Sequence, residues 1–294
     1  MKTDLSNLPA SKQNHLSQIV AVIRDEFEQA IGFSNGKRKN SKILKIILFG
    51  SFATGKWVND PAHGYISDYD ILVILDRQEL VEEYKIWDSV ESRMSARIRP
   101  EVNIIVHSLK EVNEALVKGQ YFFSDIKRDG IVLYESDRRE LALAGNLTKT
   151  ESKEIAEKHY EQWFESAFQF HEYFQMVLEK GHLKNAAFLL HQATERFYAC
   201  LLLVFTNYKP NTHNLVKLNS LAIELDEQVA EIFPQTSKVE RRRFQLLKKA
   251  YIEARYSKHY KITEEELTWL GERVKQLQLL TEKLCKDKIA EFDN

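Results

Sequence analysis

Asp68 and Asp70 stand two residues apart in Ser67-Asp68-Tyr69-Asp70-Ile71-Leu72-Val73-Ile74, at the head of an apolar run, so a strand there turns both carboxylates to one face. Held side by side as anions they repel. A hard divalent cation such as magnesium relieves that repulsion through oxygen ligands and keeps positions open for nucleotide phosphates. Upstream, Leu48-Phe49-Gly50-Ser51-Phe52-Ala53-Thr54-Gly55 closes another apolar run in a Gly-Ser turn. Glycine allows a close backbone approach, and the turn's amides and hydroxyl are donors for phosphate oxygens. Two aspartates alone read equally as a solvated hairpin end; the Gly50-Ser51 turn favours a phosphate and metal site. No Gly-rich turn opens a helix after the first strand, as a dinucleotide-binding fold requires, and Lys56 lacks the following hydroxyl of a P-loop.

These groups need a scaffold. Residues 44–49 and 71–75 read as strands, and Leu16, Ile19, Val20, Ile23, Phe27 and Ile31 recur at helical spacing, making an amphipathic helix that packs on the sheet. Residues 32–42 read as a loop whose Lys37-Arg38-Lys39 run is either a solvated turn or a phosphate contact. Residues 56–66, with Trp57, Pro61, His63, Gly64 and Tyr65, form a long loop, either an ordinary surface connection or a lid and base-stacking platform. Residues 79–97 read as a helix burying Leu80, Tyr84, Trp87, Val90 and Met94. Pro100 separates it from a strand at 102–106; short helices at 108–118 and 120–127 and a last strand at 131–134 follow.

After a boundary region at 135–150, the strand signals stop. Helical patterns run over 152–179, 182–205, 237–260 and 264–290, with a shorter one near 213–225. Thr263 and Glu266 make a capping box for the last helix, and Phe188, Leu189, Ala193, Phe197 and Leu201 read as bundle core. The reading is therefore an α/β domain with a small mixed sheet over 1–148, followed by an all-α bundle over 149–294.

Composition narrows the classes. At 294 residues the chain accommodates two ordinary domains, and 42 basic against 43 acidic residues give no strong field for a polyanion. Cys200 and Cys285, one in an apolar helix pattern and one on a charged tail helix, argue against a disulfide framework or a zinc site. The N-terminus lacks the apolar core of a signal peptide and no run is long enough to span a bilayer, so the expectation is a cytoplasmic protein.

The pattern Gly50-Ser51, Gly55, Ser67-Asp68-Tyr69-Asp70 resembles the signature of the polymerase-beta nucleotidyltransferase superfamily in its minimal branch, over about residues 12–135. The resemblance implies that Asp68 and Asp70 bind magnesium and that Gly50 and Ser51 hold the triphosphate, with ATP or another nucleoside triphosphate as substrate. Thr54 stands where relatives often have Arg; Lys56 would partly replace it. The third carboxylate of the superfamily matches Asn103, whose amide binds metal through oxygen but is no base near neutral pH. Glu101, one strand period away, would substitute.

A second resemblance rests on Leu190-His191-Gln192-Ala193-Thr194-Glu195-Arg196, Thr212-His213-Asn214-Leu215 and Ala254-Arg255-Tyr256-Ser257-Lys258-His259-Tyr260. Residues 154–286 are similar to HEPN domains, helical bundles that include RNase toxins, nucleotide-binding modules and partners of minimal nucleotidyltransferases. The RNase signature departs here: only three residues separate Arg255 from His259, and Tyr256 stands where Asn is usual. One helical turn apart, Arg255 and His259 would share a groove, across a homodimer in the RNase case; the bland reading is a solvated Arg and a helix-terminal His. Tyr256 or Tyr260 would take an adenylyl group if presented to a nucleotidyltransferase, and His213 is a weak nucleotide contact. The resemblances imply transfer of a nucleoside monophosphate to a hydroxyl on a protein or small molecule. The alternatives are a weakened nucleotide-binding module, an aminoglycoside-type antibiotic nucleotidyltransferase, and, less favoured, an RNA-cleaving HEPN protein.

Overall fold

The computed structural model describes residues 1–32, 40–60 and 65–293. Lys37-Arg38-Lys39, Pro61, His63 and Gly64 lie outside the described residues. The chain divides into two compact units, 1–59 with 66–146, and 60–65 with 147–294.

In the first unit, helix α1 (Ala10–Gly32) precedes β1 (Ile43–Phe49) and a short helix α2 (Gly50–Thr54). A two-stranded ribbon, β2 (Asn59–Asp60) with β3 (Tyr65–Ile66), leads to β4 (Tyr69–Leu75), α3 (Tyr84–Ser95), β5 (Val102–Ser108), α4 (Leu109–Val117), α5 (Tyr121–Asp129) and β6 (Ile131–Glu135). The sheet order is β5-β4-β1-β6, with β4 and β5 parallel and the other pairs antiparallel, a small mixed sheet as expected. Every residue of β1 and β4 is buried, because helices cover both faces; such strands read as unbroken apolar runs without alternation. The face carrying Ile46, Leu48, Tyr69, Ile71, Val73 and Ile104 packs in one core with α1 and α3. The face carrying Phe49, Asp70 and Asn103 meets α4 and α5.

The buried stripe of α1 is Leu16, Ile19, Val22, Ile23 and Phe27, so Val22 takes the central place expected of Val20, which with Ile31 is only partly buried. The expected helix at 79–97 starts late: a 3-10 turn occupies Gln78–Leu80 and α3 begins at Tyr84, which is exposed, while Ile86 enters the core. Starting the helix at Tyr84 rotates the stripe away from that residue. On β1, Lys45 is buried and ion-pairs with Glu135 of β6, its register partner.

The second unit is a bundle of α6 (Lys149–Glu179), α7 (Leu183–Thr206), α8 (Leu215–Ile223), α9 (Lys238–Tyr256) and α10 (Glu264–Glu291). Helix α7 is buried over most of its length between α6, α9 and α10, with Phe188 and Leu189 at its partly exposed edge. Capping boxes start α6 at Thr148 and Glu151, α9 at Ser237 and Glu240, and α10 at Thr263 and Glu266, each satisfying two end N–H groups. Cys285 lies on the last helix, as expected, and is buried there, with its Sγ 3.8 Å from that of Cys200. Hydrogen bonding with Cys285 and burial hold the Cys200 thiol well above its ordinary range. No helix among the described residues is long and apolar enough to cross a membrane.

Gly271 of α10 permits close packing on α6. A Cβ there would lie 2.7 Å and 3.0 Å from ring atoms of the buried Phe174, which would have to shift. Gly271→Ala is expected to destabilise the helical unit by about 1–3 kcal/mol, as overpacked cores do. Thermal unfolding measures it; adding Phe174→Leu should recover part of the loss, and an unchanged midpoint in G271A would disprove the close contact.

Candidate active site at the ends of the sheet strands

Alternation along β4 brings the candidate groups together. Asp70 lies within the strand, opposite Phe49 of β1 and beside Asn103 of β5. Asp68 lies just before the strand, one period away, half-buried where Asp70 and Asn103 are buried. The Asn103 amide spans the two carboxylates: Nδ2 donates to Asp70 Oδ1 at 3.2 Å and to Asp68 Oδ2 at 3.5 Å. Glu101 is exposed just ahead of β5, level with Asp68 by register, and its backbone carbonyl accepts from Tyr69 N at 2.9 Å.

Tyr69, between the aspartates, points the other way. Its ring stacks on Phe52 with centroids 4.4 Å apart, and Phe52 stacks in turn on Trp57 at 5.4 Å. Lys12 Nζ lies 5.4–5.7 Å from all three rings, and the Tyr69 hydroxyl is 3.1 Å from His15 Nδ1. Burial pushes the Tyr69 phenol up and the Lys12 ammonium down from their ordinary ranges. One side of this approach is clamped as well: Ser67 N donates to Val58 O, and Val58 N donates to Ser67 Oγ, each at 2.9 Å. Trp57 therefore spends one face on Phe52, where the sequence allowed a base-stacking platform.

Gly50 has φ +71°, a conformation glycine adopts without strain, and it opens α2 directly from β1. The turn is thus the start of a five-residue helix, where the sequence suggested no helix at all. Gly55, at φ +79°, ends it in the left-handed region, and its N–H and that of Lys56 both donate to Ser51 O. The Thr54 hydroxyl turns back to Gly50 O at 3.1 Å. Lys56 is exposed, and its charge helps lower the Asp129 carboxyl, after the larger effect of the Arg128 hydrogen bond.

The donor set fits magnesium. It is all oxygen: two carboxylates and the Asn103 carbonyl. Among the described residues no group of three or more His, Cys, Asp or Glu side chains is disposed to hold a metal. Two carboxylates suffice for magnesium, which keeps water and takes substrate phosphates as its other ligands. Since the Asn103 amide presents its nitrogen to the carboxylates, use of its oxygen requires the amide to turn over.

In the helical unit the expected Arg255 and His259 pair does not share a helix. Helix α9 ends at Tyr256 with Ser257 as its C-cap, so His259 belongs to the following turn, where its N–H donates to Ser257 Oγ. Arg255 Nε donates to Tyr251 O at 2.8 Å and its guanidinium lies over Phe188, Tyr251 and Tyr256. Tyr256 is exposed; Tyr260 is buried and donates to Leu246 O. Sequence spacing named Asp68, Asp70 and Asn103 together, with Ser67 in the same signature, yet gave no signal for Lys12 or His15, whose partner Tyr69 is distant along the chain.

Residues 35–139 match the family model described as Polymerase beta, Nucleotidyltransferase, and residues 160–284 match the HEPN domain model. No curated protein matches the chain.

Asn103→Asp tests the electrostatics. Replacing the bridging amide sets a third carboxylate against two others, and leaves the buried Asp70 without that donor. In chelator the variant should lose about 1–3 kcal/mol of stability, and magnesium should restore most of it while changing the parent little. Thermal melts with and without magnesium decide; a variant as stable as the parent in chelator would contradict this geometry.

Proposed function

With residues 35–139 a polymerase-beta-type nucleotidyltransferase domain and residues 160–284 a HEPN domain, we propose that the chain is a magnesium-dependent nucleotidyltransferase moving AMP from ATP to a hydroxyl on a protein or small molecule. The observation that carries this reading is the Asp68, Asp70 and Asn103 cluster beside the strand end where Gly50 and Ser51 turn the chain. Asp68 and Asp70, with the Asn103 carbonyl, would hold magnesium. Bound there, the ion supplies charge neutralisation for the transferred phosphoryl group and the departing pyrophosphate.

The chain's own groups do the rest in this reading. Gly50 and Ser51 position the terminal phosphates with backbone and hydroxyl donors, and Lys56 adds a cation near the same turn. Glu101 accepts the proton as the acceptor oxygen bonds to the α-phosphorus and the α–β bridging bond breaks, releasing pyrophosphate. Its exposure and its level beside Asp68 support that role. The helical unit, folding as a separate module over 149–294, would present the acceptor or pair two copies of the chain.

A second reading has its own observation. Asn103, where a carboxylate is expected, cannot take a proton near neutral pH and already satisfies both aspartates. That favours a module that binds nucleotide without turning it over.

Incubation with labelled ATP, magnesium and a panel of hydroxyl acceptors separates the two. Pyrophosphate release with label transfer is expected. Asp70→Ala should reduce both by at least about 100-fold, Glu101→Gln by about 100-fold, and Arg255→Ala should leave pyrophosphate release intact. Tight ATP binding with no pyrophosphate across the panel would leave the binding module. RNA cleavage lost in H259A and untouched in D70A would transfer the chemistry to the helical unit.

A further inference from the structure

Two groups of titratable side chains lie in the helical unit and take no part in nucleotidyl transfer. In one, Glu195 Oε2 of α7 faces His213 Nδ1 at 2.9 Å and His191 Nε2 at 3.7 Å, which fastens the loop before α8 to the bundle. The other holds nucleophiles. Cys200 of α7 and Cys285 of α10 are the chain's only cysteines; 85 positions apart in sequence, they are free, fully buried and in contact, Sγ to Sγ at 3.8 Å. A buried residue touches only about 6–12 others, so two cysteines set independently into a core this size would seldom meet.

A thiol packs as a small apolar side chain, and packing alone asks for no second thiol beside it. Tyr160 of α6 is close enough that charge on either sulfur would push its phenol up, after the larger effects of burial and of Glu282, so three helices meet at the pair. Thr281, one turn before Cys285 on the same face of α10, is fully buried, and among the described residues its Oγ1 has no hydrogen-bond partner. The seam therefore holds a polar group on the side where an oxygen carried on Cys285 would lie. Hydrogen bonding with Cys285, burial and charge on Cys285 all raise the Cys200 thiol, and no cation opposes them. Catalytic dithiols have the reverse, a thiol lowered by a neighbouring positive charge. Bond formation between the two sulfurs is the chemistry left. An S–S bond is about 2.05 Å long, so the sulfurs have to approach by about 1.8 Å, a gap that turning the two side chains spans.

We propose that Cys200 and Cys285 form a reversible redox lock: sustained exposure to hydrogen peroxide joins them in a disulfide that ties α7 to α10, and a dithiol reductant releases it. One thiol, as thiolate, attacks a peroxide oxygen; the O–O bond breaks, water leaves and a sulfenic acid remains. The other sulfur attacks the sulfenic sulfur, the S–O bond breaks, and the oxygen departs as a second water with the remaining thiol proton. Two thiols thus give two electrons and two protons to one peroxide. Because the sulfurs are buried and Cys200 is held protonated, the first step is slow, and brief exposure leaves the bundle unlocked. Once formed, the bond closes the chain from 200 to 285 into a loop and suppresses openings that part α7 from α10. The lock acts on the helical unit and stands apart from the transferase reading.

The test uses the full chain, reduced and then treated with hydrogen peroxide under native conditions. Peptide mapping should find Cys200 joined to Cys285 within one molecule, with the loss of two hydrogens, and dithiothreitol should reverse it. Amide hydrogen exchange should then slow by at least about tenfold in α7 and α10 and stay unchanged in β1 and β4. Cys285→Ala, which keeps all three methionines as a control for their oxidation, should show neither the bond nor the slowing. Because C285A alters a packed side chain, Cys200→Ala serves as the second variant, each compared with its own untreated form. Sulfurs oxidised only to sulfinic or sulfonic acid, a bond that forms only between molecules or only in denaturant, or a bonded chain whose α7 and α10 exchange as fast as before, overturns the proposal.

Discussion

The candidate active site depends on where one phenol goes. Tyr69 stands between Asp68 and Asp70, and its ring, held by Phe52, Lys12 and His15, is buried with the α1 and α3 side of the sheet. Strand alternation then leaves the two carboxylates no choice but the opposite face. A slip of one residue would bury both charges in an apolar core and expose the tyrosine, an exchange no local interaction could offset. The aromatic stack thus acts at a distance of one peptide unit as the register pin of the acidic pair. The two-way hydrogen bonding between Ser67 and Val58 secures the same register from the ribbon side.

On that face, the two carboxylates find hydrogen-bond donors within the protein. Asp70 is almost completely buried, and a buried carboxylate must be paired or hydrogen-bonded. Asn103 supplies donors to both aspartates, so the cluster is tolerable without a cation. A third carboxylate at that position would add repulsion that a cation relieves.

Much of this arrangement was readable from residue order. The apolar runs ending in Gly50-Ser51 and Asp68-Tyr69-Asp70 sit on adjacent strands, and the alignment of Asn103 with Asp70 follows from the parallel register of β4 and β5. Local spacing failed where tertiary contacts decide. The start of α3 at Tyr84 displaced an apolar residue to solvent, and the end of α9 at Tyr256 took His259 off the helix that would have carried it beside Arg255. Both errors concern helix ends, which caps and neighbouring elements set more than periodicity does. His191, Glu195 and His213 were each visible, but the last two lie 18 positions apart across helix and loop, and nothing in their spacing states that one carboxylate oxygen faces both imidazoles.

The two cysteines offer a different use of the same architecture. They are the chain's only thiols, both are fully buried in the helical unit, and their sulfurs are 3.8 Å apart between α7 and α10. A thiol reagent in solution can reach them only when those helices part, so its rate of reaction counts openings of the bundle and is blind to the sheet unit. The molecule therefore carries a built-in clock for one half of itself, by which the breathing of the two units can be told apart without cutting the chain.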